Sequence, residues 1–271
     1  MRISRFLDPD YWKIILNRNY WRTKDSIILV YNPSKVGSSS VYFTLKESLI
    51  WLPVAHLHYL NREWLAFFKE KKINNWKNNN LKADEIYKLL EANKQRRIKI
   101  ITLVRDPIAL ELSSIFQGWK EIFKIENPGD LKDEDILSYL HNKEFNWLQT
   151  WYTKEFLEFT GADVTQEPFE PKKGYGIYST GSMDMLLIKL EDLDRVKDDA
   201  LKEFLGVTNI NWSRKNTSSE KSEISEIYAR IKNTFGLDEE KLHKVYNNDF
   251  MEKFYSKEEL DVFREKWQLN K

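Results

Sequence analysis

SIILVYNPSKVGSSS, residues 26–40, is an apolar run that breaks into a turn and then a helix start. Ser26–Tyr31 is apolar on both faces, as a strand buried in a parallel sheet requires. Three more runs are of strand length and rich in Ile, Val and Leu: 52–60 (LPVAHLHYL), 98–104 (IKIITLV) and 185–190 (MLLIKL). Helical patterns over 39–50, 83–95, 107–119 and 194–205 separate or follow them. Strands alternating with helices predict an α/β fold, a P-loop-type three-layer sandwich around a parallel sheet of about four to five strands. Ligands then belong at the carboxyl ends of the strands. About 80 residues separate the last two runs, too many for a simple crossover, so a helical and hairpin insertion over 120–184 is expected before the last strand. Residues 1–25 read as an N-terminal extension and 207–271 as a closing loop with C-terminal helices. There, Ser256 and Glu259 have capping-box spacing.

The 271 residues fit one domain, since single cores stop growing at roughly 250–300 residues. Lys and Arg number 43 against 42 Asp and Glu, so nothing draws the whole molecule to nucleic acid or to an anionic membrane. An anion site must therefore be local. No apolar run approaches the ~20 residues of a membrane span, and no signal peptide is visible. Zero cysteines exclude disulfides, thiolate metal sites and a cysteine nucleophile, and fit a cytoplasmic protein. The Lys/Asn-rich segment 71–80 (KKINNWKNNN) reads as a solvated loop.

The turn after the first run carries chemistry. A glycine-containing turn that opens a helix aims backbone N–H groups at whatever lies above it, where the helix dipole favours an anion. Lys35 adds a full positive charge, and Ser38, Ser39 and Ser40 add hydroxyls. The lysine precedes the single glycine, so this is not the G-K-S/T arrangement of a nucleoside-triphosphate loop. Alone, the stretch is equally a serine-capped helix start with a solvent-facing lysine. A second element weighs against that. The third run ends in Arg105-Asp106-Pro107, where Asp106 suits an N-cap and Pro107 the first helical position. A capped turn accounts for Asp and Pro but not for an arginine at the strand tip. Ser113 follows eight residues after that arginine.

Together these elements resemble the PAPS-dependent sulfotransferase superfamily (PAPS, 3′-phosphoadenosine 5′-phosphosulfate). Its 5′-phosphosulfate loop reads approximately P-K-x-G-S/T-S/T, and its 3′-phosphate motif is R-x-P with a serine eight residues on. Lys35-Val36-Gly37-Ser38-Ser39 matches the first, with Ser34 inserted after Pro33, and Arg105-Asp106-Pro107…Ser113 matches the second. MLLIKLEDL (185–193) is similar to the family's fourth strand with its acidic end. Arg214-Lys215-Asn216-Thr217-Ser218 resembles the late loop that closes over the nucleotide. The resemblance covers roughly residues 26–219. Within the superfamily the chain looks closest to a bacterial capsular polysaccharide group called NKWYS, through Trp151-Tyr152, the 169–178 turn segment and the FYSKEEL ending. Gln149 and Thr150 stand where that group's motif has Asn and Lys. The resemblance implies sulfuryl transfer from PAPS to a hydroxyl, with a carbohydrate acceptor and no metal. Lys35 through Ser40, Arg105, Ser113 and Arg214 through Asn216 are then the nucleotide residues.

An acceptor hydroxyl needs a base. His56 and His58 stand two apart in the second run and so share a face. A V-x-H-x-H-aromatic strand resembles the uronyl 2-O-sulfotransferases, whose base is a strand-two histidine. His58, nearer the strand end, is favoured over His56, and Glu63 competes because several relatives use a glutamate. Against these stand a neutral packing pair and a His-x-His metal pair. Trp119, Trp147, Trp151 and Tyr152 read first as core and second as a sugar groove. Three other functions compete: a nucleotide kinase or NTPase, a non-catalytic nucleotide- or glycan-binding module, and, most weakly, a glycosyltransferase using Asp8-Pro9-Asp10.

Overall fold

Ser26–Tyr31 forms β1, and all six positions are buried, so both faces of this strand are covered. The computed structural model describes residues 26–48, 53–73, 75–207, 210, 212 and 223–269. Asp8-Pro9-Asp10 and Arg214, Lys215 and Asn216 lie outside the described residues. The other strands are β2 (Val54–Leu57), β3 (Arg97–Val104), β4 (Tyr175–Thr180) and β5 (Met183–Lys189). They form one sheet in the order β2-β1-β3-β5-β4. All pairs are parallel except β4–β5. The α/β sandwich expected from the alternating pattern is what forms.

Helices flank the sheet: α1 (Ser38–Ser48), α2 (Arg62–Lys71), α3 (Trp76–Ala92), α4 (Pro107–Phe123) and α5 (Asp133–His141). Next comes α6, made of the consecutive stretches Trp147–Thr150, Trp151–Phe156 and Leu157–Thr160, the middle one π-helical. Then follow α7 (Leu193–Leu205), α8 (Glu223–Thr234), α9 (Glu239–Tyr246), α10 (Asp249–Phe254) and α11 (Lys257–Trp267). Both expected caps are present. The Asp106 side chain accepts from Ile108 N with Pro107 in the first turn of α4, and Ser256 and Glu259 close a capping box on α11. Among the described residues no helix is long and apolar enough to cross a membrane.

Three expectations are corrected. The second strand ends at Leu57 rather than at residue 60, because the following backbone leaves the sheet for partners on α6. The 169–178 turn segment contains most of β4, an edge strand paired with β5 by a hairpin. The 71–80 segment is largely helical: α2 runs to Lys71 and α3 begins at Trp76. Burial of Ala83 and Ile86 on α3 outweighs the poor helix propensity of its asparagines.

Candidate functional site

The strand order reverses direction around β1, whose neighbours β2 and β3 lie on opposite sides. Such a switch point opens a crevice at the carboxyl ends of the strands. Here β1 pairs with β3 only as far as Val30 and Ile101. Beyond that point the fully buried Asn32 side chain bridges the gap, with Nδ2 donating to the Ile101 carbonyl (3.0 Å) and Oδ1 accepting from Leu103 N (2.5 Å). One amide thus replaces two ladder hydrogen bonds and lets the two strand ends part.

The loop above the crevice is held in an uncommon shape. Lys35 (φ 67°) and Gly37 (φ 77°) both occupy the left-handed region. A Cβ at Gly37 would also lie 2.6 Å from Leu190 Cδ1, so the loop rests on the turn after β5 and glycine is favoured there. Arg105 Nη1 donates to the Lys35 carbonyl, which ties the tip of β3 to this loop. Burial, and then the nearby guanidinium, lowers the Lys35 pKa. Neither cation has a carboxylate partner among the described residues. Ser38 is buried at the start of α1, while Ser39 and Ser40 are half-buried beside it. Ser113 lies half-buried on α4, its hydroxyl without a partner among the described residues. Two adjacent uncompensated cations beneath a helix start can hold an anion.

The two histidines meet beside this loop, with ring centroids 4.9 Å apart. His56 Nε2 is 2.9 Å from Ser38 Oγ, and its ring stacks on Tyr42. His58 Nδ1 is 2.7 Å from the Asn32 carbonyl oxygen. A carbonyl only accepts, so the proton resides on Nδ1 and the Nε2 lone pair is left free. That nitrogen has no partner among the described residues. Burial, with the charges of His58 and Lys82, pushes His56 down to about 3. His58 is also lowered, chiefly by burial against the opposing Asn32 hydrogen bond, with Lys82 and Lys35 adding to the depression. Both rings are neutral at pH 7, and His58 has the geometry of a base. Glu63 is exposed in the first turn of α2 and makes no hydrogen bond or ion pair among the described residues.

The site also uses residues that spacing did not indicate. Asp106 does not pair with Arg105. Its buried carboxylate accepts from Tyr246 Oη (2.8 Å) and Trp267 Nε1 (2.7 Å). Its amide donates to Glu191 Oε1 (2.8 Å), whose other oxygen accepts from Tyr255 Oη (2.9 Å). The acidic end of MLLIKLEDL therefore clamps the arginine turn to the C-terminal helices. Lys189, fully buried, is neutralised by Asp192 (2.8 Å) and Glu259. Trp119, Trp151 and Tyr152 are core, whereas Trp147 is half-buried and stacks on Trp64 at 5.5 Å.

The fold and site define an α/β protein with a cationic crevice at its switch point and a neutral imidazole beside it. The family model NKWYS, described as "Putative capsular polysaccharide synthesis protein", matches residues 130–256. That segment, from Asp130 to Ser256, is similar to a capsular polysaccharide group. It excludes the loop after β1, both histidines and Arg105. No curated protein and no solved structure matches the chain.

Proposed function

We propose that the chain is a sulfotransferase that moves the sulfuryl group of PAPS to a hydroxyl of a carbohydrate. The observation that carries this reading is the pair Lys35 and Arg105, joined through the Lys35 carbonyl and lacking a counter-charge among the described residues. A donor with phosphate at both ends of its ribose needs two such cations side by side. Lys35 with the amides of Gly37 through Ser40 would hold the 5′-phosphosulfate, and Arg105 with the unpartnered Ser113 hydroxyl the 3′-phosphate. The resemblance also assigns Arg214, Lys215 and Asn216, which lie outside the described residues, to the nucleotide.

In the transfer, the acceptor oxygen forms a bond to sulfur as the bond from sulfur to the 5′-phosphate oxygen breaks. The acceptor proton passes to the free Nε2 of His58, and PAP departs with its charge balanced by Lys35. His56, whose Nε2 is engaged with Ser38, orients that hydroxyl. Positioning and charge stabilisation supply most of what such a reaction needs, and these side chains need no metal for it. The similarity of 130–256 to a capsular polysaccharide group favours a glycan acceptor.

The test is transfer of radiolabelled sulfuryl from PAPS to a panel of capsular glycans. We expect label in the glycan, undiminished by chelator. Lys35→Ala should lower turnover far more than it weakens PAP binding, and His58→Ala should nearly abolish turnover with PAP affinity within about threefold, under ~1 kcal/mol. Strict magnesium dependence, or phosphoryl transfer from ATP, would replace this reading with a kinase.

A further inference from the structure

We infer that Glu155, in the π-helical turn of α6, is the positioning residue that fixes His58; its catalytic meaning rests on the reading of His58 as the base. The chain leaves the sheet after Leu57, yet His58 must be placed to within a fraction of an ångström to receive a proton. No strand neighbour supports residues 58–61, although Leu60 and Asn61 are buried and their backbone groups need partners.

Tyr87 on α3 donates to the Leu60 carbonyl (2.6 Å), and the other long-range partners come from α6. Trp151 Nε1 donates to the His58 carbonyl (2.9 Å). One oxygen of Glu155 accepts from the amides of both Leu60 and Asn61, the latter at 2.8 Å. The same oxygen accepts from Tyr31 Oη (2.5 Å), at the end of β1 and next to the Asn32 carbonyl that fixes the His58 tautomer. Glu155 therefore joins the two backbone segments between which the imidazole is held.

This arrangement is costly for packing alone. Glu155 is fully buried, burial raises its pKa above the ordinary carboxylate value, and its second oxygen, Oε2, has no hydrogen-bond partner. The π-turn is itself a rare helix variant, frequent at functional sites. An apolar residue would fill the space but leave two consecutive buried amides unpaired.

The experiment follows the His58 ring by nitrogen NMR in the full chain, alongside PAP calorimetry and the transfer assay. The unaltered protein should show His58 as a single Nδ1–H tautomer with a depressed pKa. In Glu155→Ala that tautomer should be lost and the pKa should rise toward its ordinary value. Turnover should fall by at least about tenfold, since a misplacement of about 1 Å can cost ~100-fold, while PAP affinity holds within about threefold. Glu155→Gln, which keeps an accepting oxygen, should restore most of the tautomer and turnover. Trp151→Phe removes the donor to the His58 carbonyl and part of a buried ring, leaves the Glu155 hydrogen bonds in place, and should move the same signals less. Unchanged His58 signals in folded Glu155→Ala would overturn the inference; should that variant not fold, unchanged signals in Glu155→Asp, whose shortened carboxylate is drawn back from the Leu60 and Asn61 amides, would do so. Shifted signals together with a fully active His58→Ala enzyme would uphold the positioning role and remove the base assignment instead.

Discussion

At the scale of single residues, the site depends on the tautomer of His58. The Asn32 carbonyl fixes its proton on Nδ1, and burial keeps the ring neutral. Its pKa lies below the ordinary ~6.5, so the transfer rate should fall on the acid side only once pH drops below that value. Lys82, exposed on α3 and without an ion pair among the described residues, adds to the depression. Removing a nearby positive charge makes protonation easier, so Lys82→Ala should move the acid limb of the pH–rate profile to higher pH. An unmoved limb in Lys82→Ala would mean that the rate does not report the imidazole. Both histidines were legible as a same-face pair. Their division of labour was not, because it turns on partners distant in sequence: Ser38 for one ring and Asn32 for the other.

At the scale of elements, the loop between β1 and α1 needs its backbone handedness as much as its charge. Gly37→Ala places a Cβ against Leu190 and forces an L-residue into φ near 77°, a conformation costing about 1–2 kcal/mol. Shortening Leu190 relieves the contact but not the torsion. Gly37→Ala should therefore lower both the melting temperature and PAP affinity, and Leu190→Ala in the same chain should recover only part of each. Full recovery, measured by calorimetry, would show that the clash alone mattered. This loop was legible in the sequence, as were β1 and the caps of α4 and α11, because turn and cap chemistry is local. A hairpin within 120–184 was legible, but the bounds of the edge strand β4 were not: Gly174 and Gly176 gave its start the look of a turn, and pairing with β5 fixes it as a strand. Nor was the bend after Leu57, which is imposed by α6 roughly 95 residues away.

At the scale of the whole molecule, the candidate site is divided between two stretches of chain. The loop after β1, the two histidines and Arg105 come from the N-terminal part of the sheet. Residues 130–256, similar to the capsular polysaccharide group, supply what holds them: α6 under His58, and Glu191, Tyr246 and Tyr255 around the Asp106 turn. Spacing within the sequence pointed to Lys35, Arg105 and the histidines but not to these supports, whose hydrogen bonds span distant elements. It also pointed to Arg214, Lys215 and Asn216, which lie outside the described residues. The central claim is that the crevice at the switch point takes a nucleotide bearing a 3′-phosphate. Calorimetry with PAP, ADP and magnesium ATP on the unaltered chain and on Arg105→Ala tests it most directly. A charge-assisted contact to the 3′-phosphate is worth about 1.5–3 kcal/mol, so PAP should bind at least tenfold more tightly than ADP and Arg105→Ala should erase most of that difference. Equal affinity for PAP and ADP, or a preference for magnesium ATP, would contradict the account.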